Sequence, residues 1–443
     1  MREMEKNEPQ RLLILASKLG YQTRSFAEAA QRLGVQVLFG SDRCHQLDDP
    51  WADGALALHF EQPEQAAQTI VAQARAKLPH ALLALGDRPT TTAACAARAL
   101  GLRYNSRESV EACRSKIRQR EVLWAAGLPV PEFFSFGLEE SPEAVLPRVR
   151  FPCVVKPLSL AASQGVIRAN DAAEFAAAVA RIRALLAWPE IQVTREPGLD
   201  RLLVEDYIPG EEVALEGLLD RGRLRVLAIF DKPDPLEGPF FEETIYVTPS
   251  RLPTETQARL ADCARRTVEA LGLTEGPLHA EFRVHDGAPW VLEAAPRPIG
   301  GLCSRVLRFG PDKNGHKIFL EELIVRHALG LEGGELPRES EAAGVMMIPV
   351  PRSGILERVE GAAEAAAAPG IEEIHITARL HDFIAAWPEG SSYLGFIFAR
   401  GATPGQVQTS LRNAHGKLRF TLTPRLLVEH PARPGTRRVP AGG

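Results

Sequence analysis

Residues Gly276 to Gly301 read GPLHAEFRVHDGAPWVLEAAPRPIGG, and this stretch decides the fold. Two runs of alternating apolar and polar residues flank His285-Asp286-Gly287-Ala288, the pattern of antiparallel strands joined by a tight turn. Such a hairpin sets Glu281 and Glu293 on adjacent strands, each preceded by apolar residues and therefore near the inner face. Two carboxylates converging beside Arg297 suit a divalent cation that bridges phosphates. Mg²⁺ keeps few protein ligands and takes the rest from substrate oxygens and water. A like-charge pair is costly to bury without a cation, which favours metal binding over a purely structural pair. His279 and His285 share the stretch, but no further His or Cys is suitably spaced, so a hydrogen-bonded histidine is the better reading than a transition-metal ligand.

Upstream, LLVEDYIPGEEVALEGLL (Leu202–Leu219) is an apolar strand ending in Glu205, a Pro-Gly turn, and a second strand bearing Glu211, Glu212 and Glu216. A strand-to-strand hinge offers exposed backbone groups to a flat heterocycle, and a carboxylate further on can accept from ribose hydroxyls. The plain alternative is a solvated hairpin with surface glutamates. Further upstream, FPCVVKPLSLAASQGV (Phe151–Val166) places Lys156 at a strand end before a loop of small residues that closes on Gly165. Backbone N–H groups approach phosphate oxygens only where side chains are small, so this arrangement can cradle phosphate. Taken alone, it also reads as a lysine snorkelling beside a surface loop.

The flanks differ in character. Arg11–Ala16 (RLLILA), the helical pattern FAEAAQRLG, the run VQVLFG, the strand ALLALGD and the helix TTAACAARALG give parallel α/β organisation as far as about Asn105. This unit has neither GxGxxG nor GxxxxGK[ST]. From Ser106 to about Pro337 the chain opens with one charged helix, SVEACRSKIRQREVLWAAG, and continues in strands with isolated charged ends. Gly344–Thr423 holds the short strands VMMIPV, IEEIHITA and YLGFIFARG and the helix TPGQVQTSLRNAHG, a compact α+β domain. The tail ARPGTRRVPAGG reads as disordered, and GAAEAAAAPG as a helix by propensity alone. The expected domains are therefore 1–105, 106–340 with a central lid at about 120–210, and 341–430, with a disordered tail over 431–443.

Composition narrows the class. The chain has 443 residues, 45% hydrophobic and 24% charged, the balance of a globular protein with several cores. A formal net charge of -4 and the lack of any basic stripe interleaved with aromatics argue against nucleic acid as a partner. Six scattered cysteines without CxxC spacing read as reduced thiols and favour the cytoplasm. The polar opening MREMEKNEPQ and the lack of any run of about 18 apolar residues predict no signal peptide and no membrane span.

The three segments in this order resemble the ATP-grasp superfamily, over Ser106 to about Gly334 and more weakly on both flanks. The resemblance implies ATP held between two α+β subdomains, with Mg²⁺ or, as a substitute, Mn²⁺. Lys116 and Lys156 would contact phosphates, and the loop around Ser163, Gly165 and Val166 would close over them. Glu205 and the backbone of Tyr207 and Ile208 would meet adenine, and Glu212 the ribose. Glu281 and Glu293 would hold the metal, while Arg297 would steady the transferred phosphoryl group or an acyl phosphate. The family pattern Glu-x-Asn-x-Arg is here Glu293-Ala294-Ala295-Pro296-Arg297, so Ala295 stands where a ligating Asn is usual.

Within the superfamily, FDKPDPLEGPFFEETIYVTPSRL (Phe230–Leu252) is similar to a segment of the L-amino-acid ligases in which a Glu contacts the substrate amino group. That nominates Glu243, with Glu242 as the neighbouring alternative, and Tyr246 stands where a histidine is often found. The implied activity is an ATP-dependent carboxylate-amine ligase that joins amino acids through an acyl phosphate and releases ADP and phosphate. Two alternatives share the nucleotide site: a carboxylase activating bicarbonate, and a regulatory protein that binds ATP with impaired turnover. The implied partners are small carboxylate and amine substrates, with a homodimer as the default assembly.

Overall fold

In the computed structural model, the described residues are 9–17, 21–42, 55–75, 77–312, 315–331 and 336–424; the tail expected to be disordered and Cys44 lie outside them. A parallel sheet in the order Ala55–Ala57, Gln36–Ser41, Arg11–Ala16, Ala81–Leu85 opens the chain. Its central strand Arg11–Ala16 is apolar on both faces because helices cover both. The helix Thr90–Leu100 stops at Gly101, whose φ of +68° is the left-handed cap that a glycine adopts without a Cβ penalty.

An eight-stranded antiparallel sheet forms the centre of the molecule. Its order is Ala288–Ala295, Gly276–His285, Glu211–Asp220, Arg223–Asp231, Ile245–Thr248, Ala342–Ile348, Gly395–Gly401, Ile371–Ile376. Side chains alternate across it. Val213, Leu215, Leu278, Ala280 and Phe282 pack under the helix Thr254–Leu271 through Leu260 and Val268. Ala214, Leu218, Phe230, Tyr246 and Val345 face the other way, in a cluster with Leu12 and Phe26 of the N-terminal unit and with the helix Leu320–Ala328. Glu212 and Glu216 share this second face, so the sheet's polar patch looks toward the N-terminal unit rather than into the helical layer.

A separate antiparallel sheet, in the order Phe133–Gly137, Arg201–Asp206, Cys153–Pro157, Ile167–Ala169, packs on the helix Ala172–Leu186 around its own core of Phe136, Val155, Phe175 and Ile182. Strand Arg201–Asp206 belongs to this sheet and Glu211–Asp220 to the large one. The turn between them contains Gly210, with φ +103° and with Val284 O only 2.1 Å from where a Cβ would sit. Only glycine fits both the backbone angle and the close approach.

Two sequence expectations are corrected. The charged helix from Ser109 to Gly127 is two helices, Arg107–Arg114 and Lys116–Ala125. Ser115, at φ −93° and ψ 107°, ends the first, and its hydroxyl caps the second by accepting from Arg118 N–H. The expected α+β region from Gly344 contributes strands to two sheets, one of them the central sheet. Ala342–Ile348, Gly395–Gly401 and Ile371–Ile376 extend the central sheet, while Gly354–Glu360, Phe383–Ile384 and Arg419–Thr423 make a smaller one. No helix among the described residues is long and apolar enough to cross a membrane, and the described cysteines are free thiols.

Candidate active site

The hairpin that opened the sequence reading turns at Asp286-Gly287, with φ of +50° and +73°, the paired left-handed angles of a two-residue turn. Glu281 and Glu293 are direct register partners. Immediately after them Phe282 pairs with Val291, leaving Leu292 as the extra residue of a β-bulge. The bulge has two consequences. Val291 and Ala294 both enter the helical core while Glu293 stays on the opposite side, and the Leu292 carbonyl is freed to accept from Arg120 Nη2 at 2.5 Å. Ala295 is buried and pairs with His279 in register; its methyl offers no ligand atom.

Beside this pair lies a buried network that sequence reading did not anticipate. Lys232 Nζ donates to Glu212 Oε1 at 2.8 Å and to Glu243, and lies 3.3 Å from Glu281 Oε1. These three carboxylates bring oxygens within 4.8 Å of one another, a geometry able to hold a cation, and the lysine supplies one. Burial opposes its charge, but the carboxylates outweigh burial and hold the ammonium's pKa well above the usual lysine value. Burial, with Glu281 and Glu212 adding to it against the pull of Lys232, pushes the Glu243 carboxyl up to about 6. The Tyr246 hydroxyl donates to Glu243 Oε2 at 2.7 Å. Glu242 points elsewhere and accepts from Val350 N–H at 3.1 Å, so of the two neighbours only Glu243 joins the site.

His279 is hydrogen-bonded, as expected: Nδ1 to Glu216 and Nε2 to Glu281 Oε1 at 3.2 Å. Burial disfavours its proton, but Glu216 and Glu281 outweigh burial and carry the pKa up to about 9. Arg283 is also buried and ties Glu212 Oε2, at 3.2 Å, to the Tyr207 hydroxyl, at 3.3 Å, and to the carbonyls of Gly210 and Leu236. Arg283 thereby holds the hinge against the central sheet.

Across the hinge, Glu205 is buried with both oxygens engaged: Oε1 accepts from Arg120 Nε at 2.7 Å, and Oε2 lies 2.6 Å from Lys156 Nζ. Burial would raise its pKa, yet the two cations hold the carboxylate below the usual range. For Lys156 burial wins, and its pKa falls below the usual lysine value. Tyr207 N–H donates to Pro152 O at 3.1 Å, and its ring is covered by Arg168 at 4.0 Å; Ile208 is half-buried beside it. The small-residue loop carries Ala162 and Ser163 at φ of +55° and +54° and Gly165 at +73°. Lys116, the first residue of its helix, donates from Nζ to the Leu158 and Leu160 carbonyls that lead into this loop.

Arg297 closes the site from the N-terminal side. Its Nε donates to Asp87 Oδ1 at 2.7 Å, and Asp87 follows the parallel strand Ala81–Leu85. Burial opposes both charges; each nevertheless stabilises the other, Asp87 being held below its usual pKa and Arg297 above. Lys116 interacts electrostatically with Asp87 and with Lys156, while Arg297 does so with Glu293 and Glu281. Arg120, bonded to both Glu205 and the Leu292 carbonyl, and Lys156, paired with Glu205, tie the three segments together.

The donor set fits a hard divalent cation. Glu281 and Glu293 are paired across the hairpin, and Glu293 has neither a hydrogen-bond nor an ion-pair partner among the described residues. Two lysines offer positive charge for phosphate beside a strained loop of small residues, in which the Gln164, Gly165 and Val166 N–H groups donate to the Ala161, Pro388 and Ser163 carbonyls.

The ATP-grasp domain family matches residues 149–306, and the family described as L-amino acid ligase C-terminal domain 2 matches residues 346–423. The crystal structure of L-amino acid ligase from Bacillus licheniformis superposes with a TM-score of 0.79 at 27% identity, covering 95% of this chain and 100% of that one. Alanine–anticapsin ligase of Bacillus subtilis (strain 168) is 24% identical over 79% of this chain and 81% of its own length. The uncharacterized protein y4rH of Sinorhizobium fredii is 28% identical over 72% of this chain, and the match spans 63% of that relative's length. Sequence families and structure together show an ATP-grasp domain over residues 149–306 and an L-amino acid ligase C-terminal domain over residues 346–423, in a fold similar to that of the Bacillus licheniformis L-amino acid ligase.

Proposed function

We propose that the protein is an ATP-dependent carboxylate-amine ligase that joins amino acids into a dipeptide or related amide and releases ADP and phosphate. The observation that carries this reading is the Glu281–Glu293 register pair, with Glu293 in no hydrogen bond or ion pair among the described residues and Arg297 following the same strand. The relatives named alanine–anticapsin ligase and L-amino acid ligase support the choice of amide chemistry.

A carboxylate is a poor electrophile because its leaving group is oxide, so the γ-phosphoryl group of ATP is moved onto it to create a better one. Lys116 and Lys156 would bind the phosphate oxygens, with the loop around Ser163 covering them. Glu281 and Glu293 would hold Mg²⁺, which when bound supplies Lewis-acid neutralisation of phosphate charge. Arg297, fixed through Nε by Asp87, keeps Nη2 for the phosphoryl oxygens. The amine then attacks the acyl carbon and phosphate leaves. On the nucleotide side, Tyr207 and Ile208 form the adenine hinge. Glu205, with both oxygens held by cations, acts there by orienting Lys156 and Arg120. Glu212 is the ribose acceptor and, through Lys232, is joined to the substrate anchor Glu243 and its partner Tyr246.

The test is phosphate release by the purified protein with Mg-ATP and a panel of amino acids. Release should depend on the amino acid, and Lys156→Ala or Glu293→Ala should abolish it. Release indifferent to amino acids would overturn this reading.

A further inference from the structure

The phosphate loop is held from outside by the C-terminal region. Gly165 N–H donates to Pro388 O at 2.8 Å, Gln164 Nε2 to Glu389 O at 2.7 Å, and Trp387 Nε1 to Ala162 O at 3.2 Å. Behind the loop, Arg181 of the lid helix pairs with the Glu389 carboxylate through both Nε and Nη2, the latter at 2.9 Å. Ala162 and Ser163 sit in the left-handed region that L-residues resist, so the loop needs external contacts to stay in this conformation. Gly165 is confined on its other side, where a Cβ would come within 3.1 Å of Leu185 and Pro157.

The same segment reaches toward the substrate side. Trp387 stacks on Tyr393 with ring centroids 4.8 Å apart, and Tyr393 packs against the core cluster that holds Tyr246, whose hydroxyl donates to Glu243. One short stretch of the C-terminal region thus spans from the phosphate loop to the neighbourhood of the substrate anchor.

We infer that Trp387 and Glu389 are positioning residues, a catch by which the C-terminal region keeps the phosphate loop closed over bound nucleotide. This inference rests on the ATP-site reading above. A closed loop excludes water from an acyl phosphate, so loosening the catch weakens nucleotide binding and lets phosphate be released without amide formation.

The experiment compares the full-length protein with Trp387→Phe, which keeps the ring but removes the N–H donor, and with Trp387→Phe/Glu389→Gln. Hydrogen exchange over residues 161–166 without ligand reads the catch itself, calorimetry with Mg-ATP analogue reads binding, and the ratio of phosphate to amide reads coupling. The double variant is expected to exchange faster over this segment, to bind the nucleotide about tenfold more weakly, equivalent to about 1.4 kcal/mol, and to release more phosphate per amide. The charge swap Arg181→Glu/Glu389→Arg should restore binding lost in Glu389→Arg alone. Wild-type exchange or unchanged affinity in the double variant overturns the catch. A wild-type protein that binds no Mg-ATP overturns the nucleotide site, and the exchange data still show separately whether the contacts hold the loop.

Discussion

Lys232 ties three carboxylates of the site together, its ammonium lying against Glu212, Glu243 and Glu281, with Arg283 and His279 adding positive charge at Glu212 and Glu281. Removing one partner of a buried ion network leaves the others charged and unsolvated, which is costlier than never having built it. Lys232→Met is therefore expected to destabilise the protein by about 3–5 kcal/mol, read as a lowered urea midpoint; an unchanged midpoint would show that the carboxylates find other partners. Gly210→Ala is a backbone counterpart, since its Cβ would meet the Val284 carbonyl and its φ of +103° resists any side chain. A loss of at least about 1–3 kcal/mol is expected in the same assay. The pairing of Glu281 with Glu293 was legible because a hairpin pattern fixes which side chains share a face. Lys232 was not, although it stands in the same quoted segment as Glu243, because Glu212 and Glu281 come from two other segments that only tertiary pairing assembles. Arg120, Arg283 and Asp87 escaped for the same reason.

At the level of elements, the Asp286-Gly287 turn was readable from its two residue types, whereas the bulge at Leu292 was not. A bulge is a mismatch between two strands and leaves no mark on either one's composition. The break at Ser115 was hidden too, since good helix formers continue on both sides and the serine's capping preference competes with an unbroken pattern. Its placement matters because the next residue is Lys116, which leads the second helix toward the phosphate loop. Ser115→Ala should lower stability by about 1 kcal/mol through the lost cap. It should also weaken Mg-ATP binding more than a comparable cap removal at Asp171, which accepts from Ala173 and Glu174 N–H at the start of the helix Ala172–Leu186. Equal effects of the two variants on nucleotide affinity would mean that the Ser115 break does not position Lys116.

For the whole molecule, the composition shifts near residues 105 and 340 marked changes of local character but not of packing. The N-terminal unit reaches Glu196 through Arg88, where Arg114 of the helix Arg107–Arg114 also pairs, and reaches the residues after the central hairpin through Asp87 and Arg297. Asp87→Ala should therefore leave nucleotide affinity nearly unchanged while slowing turnover by about a hundredfold, because Arg297 loses the contact that aims it. A rise in KM for ATP with kcat intact would instead make the pair an interface brace. The C-terminal region is tied in more deeply still. Ala342–Ile348 pairs with Ile245–Thr248, and Val345, Met347, Phe396 and Phe398 complete the core cluster that also holds Phe230 and the N-terminal Leu12 and Phe26. A fragment ending at residue 341 would expose the edge of Ile245–Thr248, an apolar strand buried at all four positions, and open that shared core. Such a fragment is expected to aggregate rather than fold as a smaller nucleotide-binding unit. A soluble monomer of residues 1–341 with cooperative unfolding would show instead that the C-terminal strands are an addition to a core already complete without them.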